Sequence, residues 1–115
     1  RFVFNADAVN TPSARQEKYN DKRANPGGKI WDDVWQVPRL TGTCDERIPD
    51  VPTQVPLEIM RAIVGCASEP GDVVLDPFCG SGSTGAAAIE LGRQFIGIEQ
   101  EEKFCEIGRL RLAGI

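Results

Sequence analysis

The sequence contains no histidine in its 115 residues. Histidine is the commonest general base near neutral pH and the commonest metal ligand, so its absence restricts the chemistry that the chain can perform. The cysteines are widely spaced and include no Cys-x-x-Cys pair, which argues against a metal site and predicts reduced thiols in a cytoplasmic setting. They are Cys44, Cys66, Cys79 and Cys105.

Long apolar runs are also missing from the sequence. None approaches the roughly 18 residues of a membrane span, and no signal peptide is visible, so we expect no membrane partner. The net charge of −4 provides no overall attraction for nucleic acid. The sequence does not begin with methionine, and residues 1–4, Arg-Phe-Val-Phe, predict a strand. We therefore expect that the sequence starts inside a longer gene product or that a leader was removed.

What the sequence does contain is a strand, a glycine-rich turn and a helix over residues 73–91. Residues 73–75 are a β-favouring apolar run. Asp76 follows them, at the strand end where open α/β sheets bind their ligands. Glycines in the turn allow a tight bend and a close approach of the backbone to a ligand. These glycines are Gly80, Gly82 and Gly85.

The glycine spacing matches the dinucleotide-binding fingerprint, and Glu99 lies about 20 residues further on, as that fingerprint requires. Asp76, however, would repel a pyrophosphate group. A cationic nucleoside without phosphate fits better, and S-adenosylmethionine carries a sulfonium and an ammonium group. An acid at position 76 suits the ammonium, and Glu99 suits the ribose hydroxyls. An ordinary structural turn and a nicotinamide-dependent enzyme fragment are the alternatives.

The rest of the pattern is of mixed α/β type. Apolar residues at helical spacing predict helices from Pro56 to about Ser68 and from about Glu101 to Ala113. Residues 95–98 predict a second strand of the sheet. The Trp-rich residues 30–37 predict a further strand that enters the core, with its tryptophans used for packing.

A local excess of positive charge lies in a polar segment rich in turn-forming residues. Residues 15–29 carry five basic and two acidic side chains. Basic side chains around Tyr19 suit contacts with phosphates and stacking on a base, and a solvated loop without a ligand is an equally good interpretation. The candidates for nucleic-acid contact are Arg15, Lys18, Lys22 and Arg23.

Three motifs resemble those of the β-arrangement DNA amino-methyltransferases, which make N6-methyladenine or N4-methylcytosine. Residues 76–84, Asp-Pro-Phe-Cys-Gly-Ser-Gly-Ser-Thr, look like the family's cofactor motif I, and residues 95–99, Phe-Ile-Gly-Ile-Glu, look like motif II. Residues 52–57, Pro-Thr-Gln-Val-Pro-Leu, resemble motif X. The resemblance is strong from residue 52 onward and loose before it.

The sequence departs from the family pattern at several positions. Val51 and Val55 replace the histidine and lysine usual in motif X, and Ser83 replaces a threonine of motif I. The catalytic tetrapeptide of motif IV, Asp/Asn/Ser-Pro-Pro-Tyr, does not occur in the sequence. In the family this segment holds the extruded base whose amine attacks the sulfonium methyl group. We therefore assign no catalytic residue to this chain.

The resemblance implies an α/β fold, a partial Rossmann-like S-adenosylmethionine-dependent methyltransferase fold with an incomplete parallel sheet. Residues 51–115 would be the cofactor-binding, carboxyl-terminal part of a DNA methyltransferase, and residues 1–50 a loop-rich segment beside the target-recognition region. The implied substrate is double-stranded DNA, with adenine N6 favoured over cytosine N4. The implied cofactor-binding residues are Asp76, Phe78, Gly80, Ser81, Gly82, Thr84, Glu99 and Thr53.

The sheet can be given only two or three parallel strands, far fewer than the family's sheet contains. Unpaired strand edges are a hazard that proteins cover. We therefore expect the isolated chain to self-associate, to pair with a complementary fragment that carries the missing strands, or to be only marginally stable. A non-catalytic nucleic-acid-binding remnant and a degenerate, inactive fragment are the alternatives to a working part of an enzyme.

Overall fold

The computed structural model describes residues 2–115, and most of its regular structure lies in the second half of the chain. From residue 57 onward the order is helix, strand, helix, strand, helix, as the sequence predicts. In chain order the elements are a 3-10 helix at Ala6–Val9, β1 at Asn10–Thr11, α1 at Ala14–Glu17, β2 at Lys29–Ile30, α2 at Leu57–Ala67, β3 at Val73–Asp76, α3 at Ser83–Glu90, β4 at Gln94–Gly97 and α4 at Glu102–Ala113. No helix in residues 2–115 is long and apolar enough to cross a membrane.

The strands β3 and β4 pair in parallel, with α3 as the connection between them. Val73 lies opposite Gln94, and Asp76 lies opposite Gly97. Parallel strands end at the same edge of a sheet, so this register places the loops after both strands side by side. The site described below lies at that edge.

One face of the strand pair is covered by helices. Val74 of β3 and Phe95 of β4 pack against a buried cluster that includes the three alanines of α3, residues 86–88. Small side chains let α3 lie close to the sheet, and the approach is closest at Gly85. A Cβ atom at that position would lie 2.6 Å from the ring of Phe95, so only glycine fits there.

The opposite face of the strand pair is uncovered among the described residues. Because side chains alternate along a strand, Val73, Leu75, Ile96 and Ile98 share this face, and they are 53% to 60% exposed. The chain as a whole also exposes more surface than a compact monomer does. Its accessible surface is 8144 Å², whereas a compact monomer of this mass exposes about 6,200 Å². We call these four residues the open sheet face.

The amino-terminal segment is fastened to the carboxyl end of α2. The Asn5 side chain donates to the carbonyls of Gly65, at 3.0 Å, and Ser68, at 2.7 Å. Its backbone N–H donates to the Cys66 carbonyl at 2.8 Å. These bonds satisfy carbonyls that the last turn of a helix leaves without partners.

Two strands predicted in the first half of the chain are wrong. Phe2, Val3 and Phe4 form no strand, and Arg1 lies outside the described residues. Residues 31–37 form none either, and β2 ends at Ile30, where its pairing with β1 ends. A β-favouring run needs a neighbouring strand to satisfy its backbone groups. Among the described residues, the pairing beyond Ile30 is limited to one backbone bond, from the Trp31 N–H to the Val9 carbonyl at 2.8 Å.

The two tryptophans of this region pack on each other and do not enter the core. Their rings meet edge to face, with 5.0 Å between the centroids of Trp31 and Trp35. Val34 lies within the run that was predicted to enter the core as a strand, but its side chain is 71% exposed. The pair is therefore a small local contact beside the main core.

Candidate functional site

The carboxylate of Asp76 lies at the end of β3 and accepts hydrogen bonds from both ends of the turn that follows. Its Oδ2 accepts a hydrogen bond from the Thr84 hydroxyl at 2.6 Å, and its Oδ1 accepts one from the Phe78 N–H at 3.0 Å. These contacts tie the strand end to the first turn of α3. Each carboxylate oxygen has two acceptor positions, so the group keeps acceptor capacity for a ligand.

The carboxylate of Glu99 follows β4 and faces the same turn. Its Oε2 accepts the Gly80 N–H at 2.9 Å, and its Oε1 accepts the Glu101 N–H at 2.9 Å. The Glu101 amide, together with those of Gly80 and Gln100, holds the pKa of Glu99 below its usual value. Glu99 is therefore ionised at neutral pH, and each of its oxygens can accept one further hydroxyl.

The turn between these acids depends on a left-handed backbone. Gly82 has a φ angle of 79°, which residues with a Cβ atom rarely adopt. Its N–H donates to the Cys79 carbonyl at 2.8 Å, and the Cys79 N–H donates to the Ile98 carbonyl at 3.0 Å. The turn is thereby closed on itself and bonded to the loop after β4.

Two cavities meet at this turn. The Asp76 cavity, of about 260 Å³, lies between the turn and the connector residues 51–55. The Glu99 cavity, of about 390 Å³, lies between the turn, β4 and α4. They share Cys79, Gly80 and Phe104 as lining residues, and together we call them the cleft.

All eight residues implied to bind a cofactor line this cleft. The structure thus brings motif X, motif I and motif II together, although they are separated in the sequence. Thr53, Asp76, Phe78, Gly80, Ser81 and Thr84 line the Asp76 cavity, and Gly80, Gly82 and Glu99 line the Glu99 cavity.

The thiol of Cys79 lies in the cleft but is poorly suited to act as a nucleophile. Burial raises its pKa, and the nearby charges of Asp76 and Glu99 raise it further. The thiolate is the reactive form of cysteine, so this thiol is largely unreactive at neutral pH. Within residues 2–115, no group of three or more acidic or cysteine side chains is placed to hold a metal ion.

The four basic candidates lie on and just after α1, and none of them lines the cleft. Arg15, Lys18 and Lys22 are exposed. The guanidinium of Arg23 makes two hydrogen bonds to Asp21, at 3.0 and 3.1 Å. This pairing raises the pKa of Arg23 and lowers that of Asp21, so Asp21 competes with any phosphate for Arg23.

The sequence did not single out the contribution of α4 to the cleft. Phe104, Cys105 and Arg109 line the Glu99 cavity. Their spacing places them on one side of α4, but the same spacing is equally typical of a helix face buried in a core. Met60 of α2 was also missed, and its Sδ atom lies 3.5 Å from the Thr84 hydroxyl.

Comparisons with known proteins give consistent matches. The sequence model of a DNA methylase family, N6_N4_Mtase, matches residues 1–109. The DNA adenine methyltransferase YhdJ of Escherichia coli (strain K12) is 41% identical over 118 residues, which cover 96% of this chain and 40% of YhdJ. This chain therefore spans less than half the length of that relative.

Solved structures of similar proteins match about half of this chain. The crystal structure of the M1.HpyAVI–SAM complex is 47% identical with a TM-score of 0.53, and the match covers 54% of this chain and 32% of that one. The putative DNA modification methylase TTHA0409 of Thermus thermophilus, complexed with S-adenosyl-L-methionine, is 40% identical with a TM-score of 0.52. That match covers 56% of this chain and 27% of TTHA0409.

Proposed function

Because the chain belongs to the DNA methylase family whose sequence model it matches, we propose that it forms the S-adenosylmethionine-binding portion of a DNA methyltransferase that modifies an exocyclic amine. The fold is a partial Rossmann-like methyltransferase fold with an incomplete parallel sheet, as predicted. The observation that carries the proposal is the pair of carboxylates, Asp76 and Glu99, on the two sides of one glycine turn.

The chemistry of the cleft suits the two halves of this cofactor. The Asp76 cavity offers a carboxylate for the ammonium of the methionine half. The Glu99 cavity offers two acceptor oxygens for the ribose hydroxyls of the adenosine half, with the Phe104 ring as an apolar wall. Glu99 suits the ribose of either cofactor, but the Asp76 carboxylate beside the turn would repel the pyrophosphate of a dinucleotide. The proposal therefore favours S-adenosylmethionine over NAD.

Titration calorimetry of the full chain with S-adenosylmethionine and, separately, with NAD tests this choice. We expect binding of S-adenosylmethionine and none of NAD, because the former brings an ammonium group to Asp76 and the latter brings an anionic pyrophosphate. Binding of NAD without binding of S-adenosylmethionine would overturn the proposal in favour of a nicotinamide-dependent enzyme fragment. Binding of neither would favour a degenerate fragment.

In this proposal the chain binds the cofactor, and a different segment binds the target base. The sequence contains no motif IV tetrapeptide to hold that base. In this proposal residues 51–115 bind the cofactor, and residues 1–50 lie beside the target-recognition region. The relative YhdJ is a DNA adenine methyltransferase by name, which supports adenine N6 as the target and leaves cytosine N4 as the second choice.

The four cysteines are free thiols, in keeping with the proposal of a cytoplasmic protein.

We further propose that Arg15, Lys18, Lys22 and Arg23 contact the phosphates of double-stranded DNA. Replacing both Lys22 and Arg23 with glutamate should weaken DNA binding and lower its salt dependence. Removing one phosphate contact reduces the slope of log K against log salt by about 1. A gel-shift series at several salt concentrations measures both quantities.

A second variant makes the test of the basic segment sharper. Asp21→Asn removes the charge that holds Arg23, so we expect it to strengthen DNA binding where the double glutamate variant weakens it. Lys103→Glu, an exposed charge reversal on α4, serves as the control. If Lys103→Glu weakens DNA binding as much per unit of charge as the double glutamate variant does, only net charge matters and the segment has no specific role.

The open sheet face is proposed to be covered by a complementary fragment that carries the missing strands, or by a second copy of the chain. Four half-exposed apolar side chains lie on one face of a strand pair whose outer edges have no further strand in residues 2–115, and this favours association. The fact that the chain spans 40% of YhdJ supports a complementary fragment as the occupant.

A further inference from the structure

We propose that Glu46, Gln54 and Arg111 are positioning residues that hold the connector wall of the Asp76 cavity, an inference that rests on the proposed function. This wall consists of residues 51–55, which belong to no helix or strand. A wall without backbone pairing of its own must be fixed by other contacts. Side chains from the connector and from α4 provide them.

Glu46 fixes the end of the wall that joins α2. Its Oε1 accepts the N–H of Leu57 at 2.7 Å. That N–H belongs to the first turn of α2, where helix donors lack partners within the helix. The N-cap residue Pro56 supplies no side-chain hydrogen bond. Glu46 therefore performs the capping role from eleven residues away in the sequence.

Gln54 closes the connector into a loop next to Thr53. Its Nε2 donates to the Glu46 carbonyl at 2.7 Å, and its Oε1 accepts the N–H of Ile48 at 2.7 Å. Both ends of the amide side chain are thus used to hold the connector backbone. Because Thr53 precedes Gln54 in the chain and faces the cavity, its position depends on this pair of bonds.

Arg111 joins the two opposing walls of the cavity from α4. Its Nη2 lies 3.7 Å from Oε1 of Glu46, on the connector side. Its Nη1 donates to the Ser83 hydroxyl at 2.9 Å, on the side of the turn and α3. The Arg111 side chain is only 13% exposed, so solvent screens these contacts weakly.

Neither Arg111 nor Glu46 lines the cleft. Their effect on a ligand is therefore indirect, through the spacing between Thr53 on the connector and the turn that carries Asp76. The Glu99 cavity has no lining residue in the connector. Loss of the contacts should disturb recognition of the amino-acid half of the cofactor and leave that of the adenosine half intact.

Arg111→Met tests this separation because it keeps a long apolar stem and removes the guanidinium. We expect the dissociation constant for S-adenosylmethionine to rise about tenfold, which corresponds to about 1.4 kcal/mol of binding free energy, because Thr53 is no longer held at its distance from the turn. 5′-Methylthioadenosine lacks the amino-acid half, and its affinity should not change. Calorimetry of the full chain measures both ligands.

Lys103→Met is the matched control for Arg111→Met. Lys103 lies on the same helix and pairs with Asp50 of the same connector at 3.6 Å, but both side chains are largely exposed. Exposed ion pairs contribute little, so neither affinity should change. If circular dichroism shows Arg111→Met to be unfolded, Glu46→Gln replaces it, because that variant keeps an acceptor for Leu57 and removes the charge facing Arg111.

The outcomes separate this inference from the proposed function. Equal weakening of both ligands, or weakening of neither, in a folded variant would overturn the positioning role, while the proposed function would stand on the unmutated chain. If the unmutated chain binds no S-adenosylmethionine, the proposed function is overturned, and the inference is overturned with it.

Discussion

Replacing Asp76 with alanine is expected to lower the affinity for S-adenosylmethionine at least about 100-fold. Hydrogen bonds that involve a charged group contribute about 1.5–3 kcal/mol each, and loss of two such bonds to the ammonium corresponds to this factor. The same change leaves the Thr84 hydroxyl and the Phe78 N–H without their present acceptor. Titration calorimetry gives the affinity, and circular dichroism shows that the fold persists.

One further variant separates the charge of Asp76 from its shape, and a second variant, at Asp72, is the control. Asp76→Asn keeps an acceptor for Thr84 but removes the negative charge, so we expect most of the loss to persist. Asp72→Ala removes a carboxylate near the opposite end of β3, where Asp72 accepts the Glu69 N–H at 2.9 Å, and it should bind as the unmutated chain does. Unchanged affinity in Asp76→Asn would show that the ammonium is not recognised by this carboxylate.

Introducing glutamate at both Leu75 and Ile96 is expected to abolish association through the open sheet face. The two residues are paired across β3 and β4 and are 60% and 53% exposed. An interface on this face would bury the new carboxylates in apolar surroundings, at a cost of several kcal/mol. Sedimentation velocity should therefore show associated species for the unmutated chain and monomers for the double variant.

Leu110→Glu is the control for the open sheet face. Leu110 is 77% exposed on α4, so a glutamate there changes charge and apolar exposure away from the sheet. We expect it to sediment as the unmutated chain does. A stable, well-folded monomer of the unmutated chain would contradict the proposal that this face is covered.

The second half of the fold was predictable because its signals are local and agree with one another. Pro56 and the apolar spacing after it predict a helix that the structure has at Leu57–Ala67. The apolar run before Asp76 and the glycines after it predict the strand, turn and helix that are present. The helix pattern and Val74 of the strand run also supply the packing against the core, so tertiary structure did not override the pattern. Val73 and Leu75 favour the strand but lie on the open sheet face.

The first half was harder to predict because its strands depend on partners. The run around Val34 favours strand formation by composition, but that preference does not identify a neighbouring strand. In the structure, only residues 29–30 of this region find one, at Asn10 and Thr11. The predicted strand therefore does not form, and its apolar side chains stay near the surface.

The sequence predicted the acids of the cleft and missed the residues that hold its wall. Asp76 and Glu99 follow strands, and that position marks them as candidates. Glu46 caps a helix from eleven residues away, a distance at which no capping pattern is recognisable. Arg111 acts through Ser83 and Glu46, which are neighbours only in the folded chain.

The raised pKa of Cys79 has a consequence for the stability of the cofactor itself. A sulfonium methyl group is an alkylating agent, and a thiolate is a stronger competitor for it than the amine of a base. Burial raises the pKa of the Cys79 thiol, and the charges of Asp76 and Glu99 raise it further, so its thiolate is less populated at neutral pH than that of an exposed cysteine. Under the proposed function, the surroundings of Cys79 therefore disfavour transfer of the methyl group to this sulfur, burial first and the two carboxylates second.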